Sequence, residues 1–229
     1  MEFLDTPIFG LLLSILAFEV GLFINKKTKL PILNPLIIGI GLIIGFLLAF
    51  DIDYEVYNKG GSVISFFLGP ATVSLAIPLY KQIEKLKENG VPVIVGILAG
   101  CIVAVGIVIY LGKIFGLDEV LILSLAPKSA TAAISSEISK QIGGLPSLTV
   151  AVTVLTGITG NVLGPYICKL FKIKDEVAVG IGMGTASHAI GTAKAMELGE
   201  VQGAMSSLAI SVTALLTVFI APLLVKILL

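Results

Sequence analysis

Lys128 and His188 stand where an apolar chain can least tolerate them. Lys128 follows Glu119 by nine residues, about 13 Å along a helix, inside the run Val120–Ile142. An ammonium at the middle of a bilayer costs about 3 kcal/mol on insertion scales. A lysine kept there argues for an anionic ligand; the alternative is one that snorkels or pairs with Glu137 or Glu19. Helical spacing places Thr131, Ser135 and Ser136 on its side, with Ser129 adjoining. His188 is the one histidine, twelve residues past Glu176 in a glycine-rich run, with Ser187 and Thr192 nearby. It is the side chain that ordinarily titrates near neutrality, so it is a candidate for substrate or proton contact; a structural histidine is the alternative. Asn161, between Gly160 and Gly164, could bind substrate or merely bridge helices. With Thr72 and Ser74 from a matching segment, the expected substrate-binding set is Lys128, Ser129, Thr131, Thr72, Ser74, Ser187, His188, Thr192 and Asn161. Proton coupling falls to His188 and Glu137.

These residues do not assemble an enzyme. Neighbours on a helix point about 100° apart, so Ser187-His188 is not a nucleophile–base pair. No Cys/His/Asp cluster has metal-ligand spacing, and Gly180-Ile181-Gly182-Met183-Gly184 lacks the Lys-Ser/Thr of a phosphate loop. Cys101 and Cys168 sit in apolar runs and read as packing residues. No catalysis, metal or cofactor is expected.

The elements that must carry these groups follow from composition. Of 229 residues, 13% are charged and 56% apolar, with mean hydropathy +1.07. Soluble domains carry about 25% charged residues, so a water-soluble fold and a nucleic-acid binder are both excluded. Fifteen acids cancel fifteen bases, all of them lysine, which leaves no basic field for phosphate to follow. The chain reads as an integral membrane protein in a lipid bilayer. Spans need about 20 apolar residues. Thr6–Asn25 qualifies with Glu19 inside it; Leu30–Phe50, Gly60–Tyr80, Asn89–Gly112, Gln141–Cys168 and Val201–Val225 are uncharged. Val120–Ile142 and Val177–Leu198 are apolar but interrupted, making eight segments. Met1–Asp5 lacks the basic region of a secretory leader, so no signal peptide is expected. The lysine-rich loops Lys81–Lys87 and Lys169–Lys174 cannot both be cytoplasmic with eight simple crossings, so either a segment is re-entrant or the charge rule fails.

The chain also repeats at an offset of 113 residues. Thr72-Val73-Ser74-Leu75-Ala76-Ile77-Pro78 with Lys81 and Glu84 matches Thr185-Ala186-Ser187-His188-Ala189-Ile190-Gly191 with Lys194 and Glu197, six of thirteen positions being identical. Paired repeats with broken helices in matching places point to a secondary transporter. The fold expected is all-α and polytopic: one membrane domain, 1–229, of two four-segment repeats, about 4–113 and 117–226. Breaks are expected near Gly69-Pro70 and Gly182–Thr185, with inverted symmetry favoured over parallel.

Pro70-Ala71-Thr72, Ala76-Ile77-Pro78-Leu79-Tyr80, Pro127-Lys128-Ser129-Ala130-Thr131, Gly143-Gly144, Thr156-Gly157-Ile158-Thr159-Gly160-Asn161, Gly164-Pro165 and His188-Ala189-Ile190-Gly191-Thr192-Ala193 together resemble the LrgB/CidB family over nearly the whole chain. The resemblance implies a multi-pass protein of a prokaryotic inner (plasma) membrane, historically termed antiholin-like or a murein hydrolase regulator. It also implies kinship with plant chloroplast exporters of glycolate and glycerate, and with bacterial pyruvate importers that work with a small LrgA/CidA-like membrane subunit. The LrgA-like half fused in the plant proteins is absent from this sequence, so the chain acts alone or with a separate subunit; self-association is left open.

Residues and resemblance meet on a transporter of small organic anions (glycolate-, glycerate- or pyruvate-like monocarboxylates), with its site at the bilayer midplane between the repeats. A holin- or antiholin-like regulator of murein hydrolase export or lysis is the alternative. A sodium or proton antiporter is third, disfavoured because all five aspartates lie at loops.

Overall fold

The structure, a computed structural model, describes residues 6–28, 33, 35–67, 70, 73, 80 and 90–229. Every element among them is an α-helix, and none of the described residues forms a strand. Four helices, Pro7–Thr28, Gly90–Ile114, Pro146–Leu170 and Glu200–Leu228, are long and apolar enough to cross a membrane. The chain is a multi-pass membrane protein. It forms two compact units, Met1–Ala71 and Thr72–Leu229.

The first unit contains α1 (Pro7–Thr28), α2 (Pro35–Ala49) and α3 (Tyr54–Phe66). Proline opens α1 and α2, where its missing N–H costs nothing, and the Asp53 carboxylate caps α3 by accepting from the Glu55 N–H at 3.1 Å. Small residues set the packing. A Cβ on Gly10 would lie 3.1 Å from the Gly60 Cα, and one on Gly21 would lie 3.0 Å from the Pro35 Cα. Ser14 and Tyr57 share a 2.9 Å hydrogen bond between α1 and α3. Leu30–Phe50 is expected to span; the helix described within it, α2, has 15 residues, about 22 Å. The expected break near Gly69-Pro70, and Thr72 and Ser74, fall outside the described residues except for Pro70.

The second unit contains α4 (Gly90–Ile114), α5 (Glu119–Leu125), α6 (Ala132–Ile142), α7 (Pro146–Leu170), α8 (Glu176–Leu198) and α9 (Glu200–Leu228). Helices α4 and α9 run side by side in one direction. Cys101 Sγ lies 4.0 Å from the Thr213 carbonyl, and Lys113 Nζ donates to the Leu228 carbonyl at 2.6 Å. Their shared seam, with Val93, Ile97, Val105, Leu208 and Ala209, is the apolar core.

Between α4 and α7 the chain folds back on itself. Pro127 lacks the N–H that would extend α5, and α6 restarts at the Thr131 cap (φ −65°, ψ 153°). Ser135 Oγ donates to the Pro127 carbonyl at 2.7 Å. Nearer the open end, the Thr149 hydroxyl donates to the Ser124 carbonyl at 2.8 Å and shares a 2.7 Å bond with Ser139. Ser124 Oγ in turn accepts from the Leu145 N–H at 2.7 Å. These contacts make α5 and α6 antiparallel arms of a hairpin whose tip is Pro127–Thr131. Gly143, at φ 91°, ends α6 in the left-handed conformation that glycine favours. The sequence reading of Val120–Ile142 as one helix, with Thr131, Ser135 and Ser136 beside Lys128, is corrected here: Lys128 lies in the turn. The Gln141–Cys168 span likewise divides, α6 ending at Ile142 and α7 starting at Pro146.

A second hairpin lies within α8. His188 adopts φ 42°, ψ −140°, and the helix reverses there. A Cβ on Gly191 would lie 3.0 Å from the Met183 carbonyl oxygen, whereas eight residues of straight helix span about 12 Å. The first arm, 176–187, runs parallel to α9: Gly180 abuts the Gln202 backbone and Gly184 abuts Ser206. The second arm, 189–198, runs antiparallel to α9, with Thr192 bonded to Ser206 at 2.6 Å and Met196 against Gly203. The break is therefore at His188 and not at Gly182–Thr185. The reason is steric: Gly180 and Gly184 are helical and serve the close approach of α9.

The two hairpins open toward opposite ends. The first opens where α4 finishes, since a Cβ on Gly112 would lie 2.7 Å from Ile122 Cγ1. The second opens where α4 begins: its first arm runs alongside α4, with Thr185 Cγ2 2.8 Å from a Cβ on Gly100.

Candidate functional site

Each hairpin tip carries one of the two improbable polar residues. At the first, Lys128 is half-buried and Nζ donates to the Ser129 hydroxyl at 3.3 Å. Ser129 is buried. Thr131 occupies the cap of α6 without bonding to its backbone, and its buried Oγ1 has no partner. The tip thus collects an ammonium, two hydroxyls and the first-turn N–H groups of an 11-residue helix, the positive end of its dipole.

At the second tip, His188 is 4% exposed. Nε2 lies 2.8 Å from the Thr153 carbonyl. A carbonyl only accepts, so Nε2 carries a proton and Nδ1 is the acceptor of the neutral ring. The ring rests on α7 at Gly157, where a Cβ would come within 3.0 Å of Nε2. Ser187 is seated by Gly160, whose missing Cβ leaves room for the serine side chain. Along α7 the first hairpin is held at Thr149, and the tip of the second rests one to two turns further on, at Thr153 and Gly157. The tips therefore approach one another from opposite ends.

The remaining expected residues divide. Asn161 Nδ2 donates to the Ile190 carbonyl at 2.9 Å, and Thr192 is bonded to Ser206; both tie the second hairpin to its neighbours. Glu137 is exposed on α6. Two residues were given no role in the sequence analysis. Thr153 is fully buried, supplies the carbonyl that holds His188 and has an unpartnered Oγ1; Gly157 supplies the seat. Their signal was the row Thr149, Thr153, Gly157, Gly160, Gly164 at helical spacing along one face of α7. Among the described residues no group of three His, Cys, Asp or Glu could hold a metal.

The LrgB-like family model matches residues 14–227. The "Antiholin-like protein LrgB" of Bacillus subtilis (strain 168) is 40% identical over 227 residues, 99% of this chain and 98% of that protein. Proteins of the same name from Bacillus mycoides (strain KBAB4) and Bacillus cereus (strain B4264) are each 39% identical over 219 residues, 95% of both chains. No solved structure matches the chain. A family match over nearly the whole length, with helices fit to cross a membrane several times, leaves one conclusion: the chain belongs to the LrgB-like family.

Proposed function

We propose that this protein carries small organic anions, two- or three-carbon monocarboxylates in size, and that both hairpins are re-entrant, with their tips near the bilayer midplane. The observation behind the reading is the placement of Lys128 and His188 on hairpin tips that approach one another along α7 from opposite ends. A carboxylate needs a positive charge and several donors to replace its water. Lys128, Ser129, Thr131 and the α6 N-terminus supply them, with Thr153 and His188 opposite. The backbone at His188 supports the same reading. A non-glycine residue in that conformation costs of order 1–3 kcal/mol, so glycine would serve the turn better unless the imidazole itself were needed. Non-helical backbone at membrane depth is tolerated where it is buried or lines a cavity, and a carrier needs such a cavity reachable from each side in turn. A hairpin opening to each end gives each side its own gate. Proton coupling through His188 and Glu137, a bacterial inner-membrane location and an LrgA-like partner belong to the same proposal.

A second reading, regulation of lysis, rests on the name "Antiholin-like protein" carried by the relatives. Reconstituted liposomes separate the two. The carrier takes up labelled glycolate, glycerate or pyruvate saturably, and an excess of unlabelled substrate competes. Uptake that never saturates, or equal release of large unrelated solutes, overturns the carrier and favours the pore-related reading.

A further inference from the structure

Away from the tips, where α7 ends and α8 begins, a cavity of about 360 Å³ is lined by Pro165, Cys168, Lys169, Lys172, Lys174 and Gln202. Three of these are lysines, and among the described residues no acidic one lines it. The nearest acids are engaged: the Asp175 carboxylate accepts from the Ala178 N–H at 2.8 Å, and Glu197 pairs with Lys194 at 2.7 Å. Among the described residues, none of the three lysines has an ion-pair or hydrogen-bond partner for its ammonium. Lysine at a helix C-terminus commonly answers the helix dipole. Lys169 is in the last turn of α7, but Lys172 and Lys174 lie beyond it, so that role does not account for them. At the same place α9 begins without a side-chain cap and with Glu200 in its first turn.

The cavity is also layered. Pro165 and Cys168 lie deeper along α7, and the lysines sit at its mouth. Beside it, Tyr166, Leu170 and Phe171 are 67%, 75% and 71% exposed, an outward apolar and aromatic wall of the kind found at the membrane–water boundary. A soluble anion would use the lysines and leave that wall idle. A molecule with a negative head and apolar tails uses both, and basic pockets between membrane helices hold anionic headgroups in this way.

We propose that this cavity binds the phosphate headgroup of an anionic phospholipid, with its acyl chains against the end of α7. It involves none of the residues at the hairpin tips, so it stands or falls independently of the transport reading.

Cys168 lines the cavity and is partly exposed, whereas Cys101 is 2% exposed, so maleimide labelling of Cys168 reports occupancy. The full chain is stripped of lipid in detergent, then given phosphatidylglycerol, phosphatidylcholine or inorganic phosphate. Phosphatidylglycerol is expected to slow labelling by about tenfold or more, given three lysines near one headgroup; the other two should leave it unchanged. Native mass spectrometry should show phosphatidylglycerol retained in preference to phosphatidylcholine. Replacing Lys169, Lys172 and Lys174 together with glutamine should abolish both effects. If that variant loses its helical circular dichroism, Lys169→Gln and Lys174→Gln alone should each weaken protection. Equal protection by phosphatidylcholine, or unchanged protection in the lysine variants, overturns the proposal. Protection by inorganic phosphate alone reassigns the cavity to a soluble anion and overturns it as well.

Discussion

Alanine at Gly157 is the sharpest probe of how the second hairpin tip is held. The added Cβ would stand 2.5 Å from His188 Cε1, 3.0 Å from Nε2 and 2.9 Å from Ile190 Cδ1, where carbon contacts are optimal at about 3.5–4.0 Å. The ring cannot retreat without giving up its 2.8 Å bond to the Thr153 carbonyl, and the backbone behind it already sits at φ 42°. Overpacking costs about 1–3 kcal/mol, and loss of the hydrogen bond adds about 1 kcal/mol. Better helix propensity returns about 1 kcal/mol. The net is a destabilisation of about 1–3 kcal/mol. Gly182→Ala is the matched control: its Cβ meets nothing within 4 Å, so it should gain about 0.5–1 kcal/mol from the same propensity. At about 2–4 °C per kcal/mol for a chain of this size, the two alanines should melt roughly 3–16 °C apart. The chain has no tryptophan, so a thiol-reactive dye is the suitable reporter, Cys101 becoming accessible as the protein unfolds. Equal melting temperatures, or a Gly157→Ala protein that melts higher, would refute the packing of His188 on α7.

Lys128→Met keeps most of the stem and removes the charge; it should fold, insert at least as well as the parent, and lose saturable anion uptake in liposomes. Wild-type uptake would return Lys128 to a bystander. His188→Gln preserves a hydrogen-bond donor to Thr153 but cannot titrate near pH 6.5; substrate exchange should persist while its dependence on pH between 5 and 8 flattens, and an unchanged profile would send the proton elsewhere. Thr149→Val keeps the shape of the side chain but removes its bonds to Ser124 and Ser139, a loss of about 2 kcal/mol at about 1 kcal/mol each. The thiol-dye melting curve measures it, and no shift would show that the first hairpin is held by other contacts.

The sequence made the long crossings legible because α4, α7 and α9 are apolar over more than twenty residues, the length a bilayer demands. It also singled out Lys128 and His188, since the cost of burying them is visible in the residue type alone. The hairpins were not visible for a geometric reason. Seven residues of α5, a short turn and eleven of α6 add up to the length of one crossing helix, and hydropathy cannot tell a chain that returns from one that continues. The glycines misled in a related way. The glycine-rich run put the expected break at Gly182–Thr185, yet Gly180 and Gly184 have the backbone of α9 as their partner, and only tertiary contact separates a glycine that breaks from one that packs. Gly191, three residues past the reversal, is the glycine that the turn requires.

Helix α9 has a further consequence, for how the protein is made. It follows in order of synthesis every helix it packs against in the second unit. Until it emerges, Gly180 and Gly184 face no backbone, Thr192 has no Ser206, and the hairpin ending at Leu198 has arms of about 12 and 10 residues, shorter than isolated helices that hold themselves together in water. The core seam on α4 is likewise bare, with Val93, Ile97 and Val105 turned toward a partner not yet synthesised. The nascent chain through α8 is thus an incomplete object in the membrane, and arrival of α9 closes the core and fixes the second hairpin in one event. Assembly of this unit is therefore set by its final helix, and a ribosome stalled before Glu200 would leave a species that a membrane protease could distinguish from the finished protein by its unpacked glycine face.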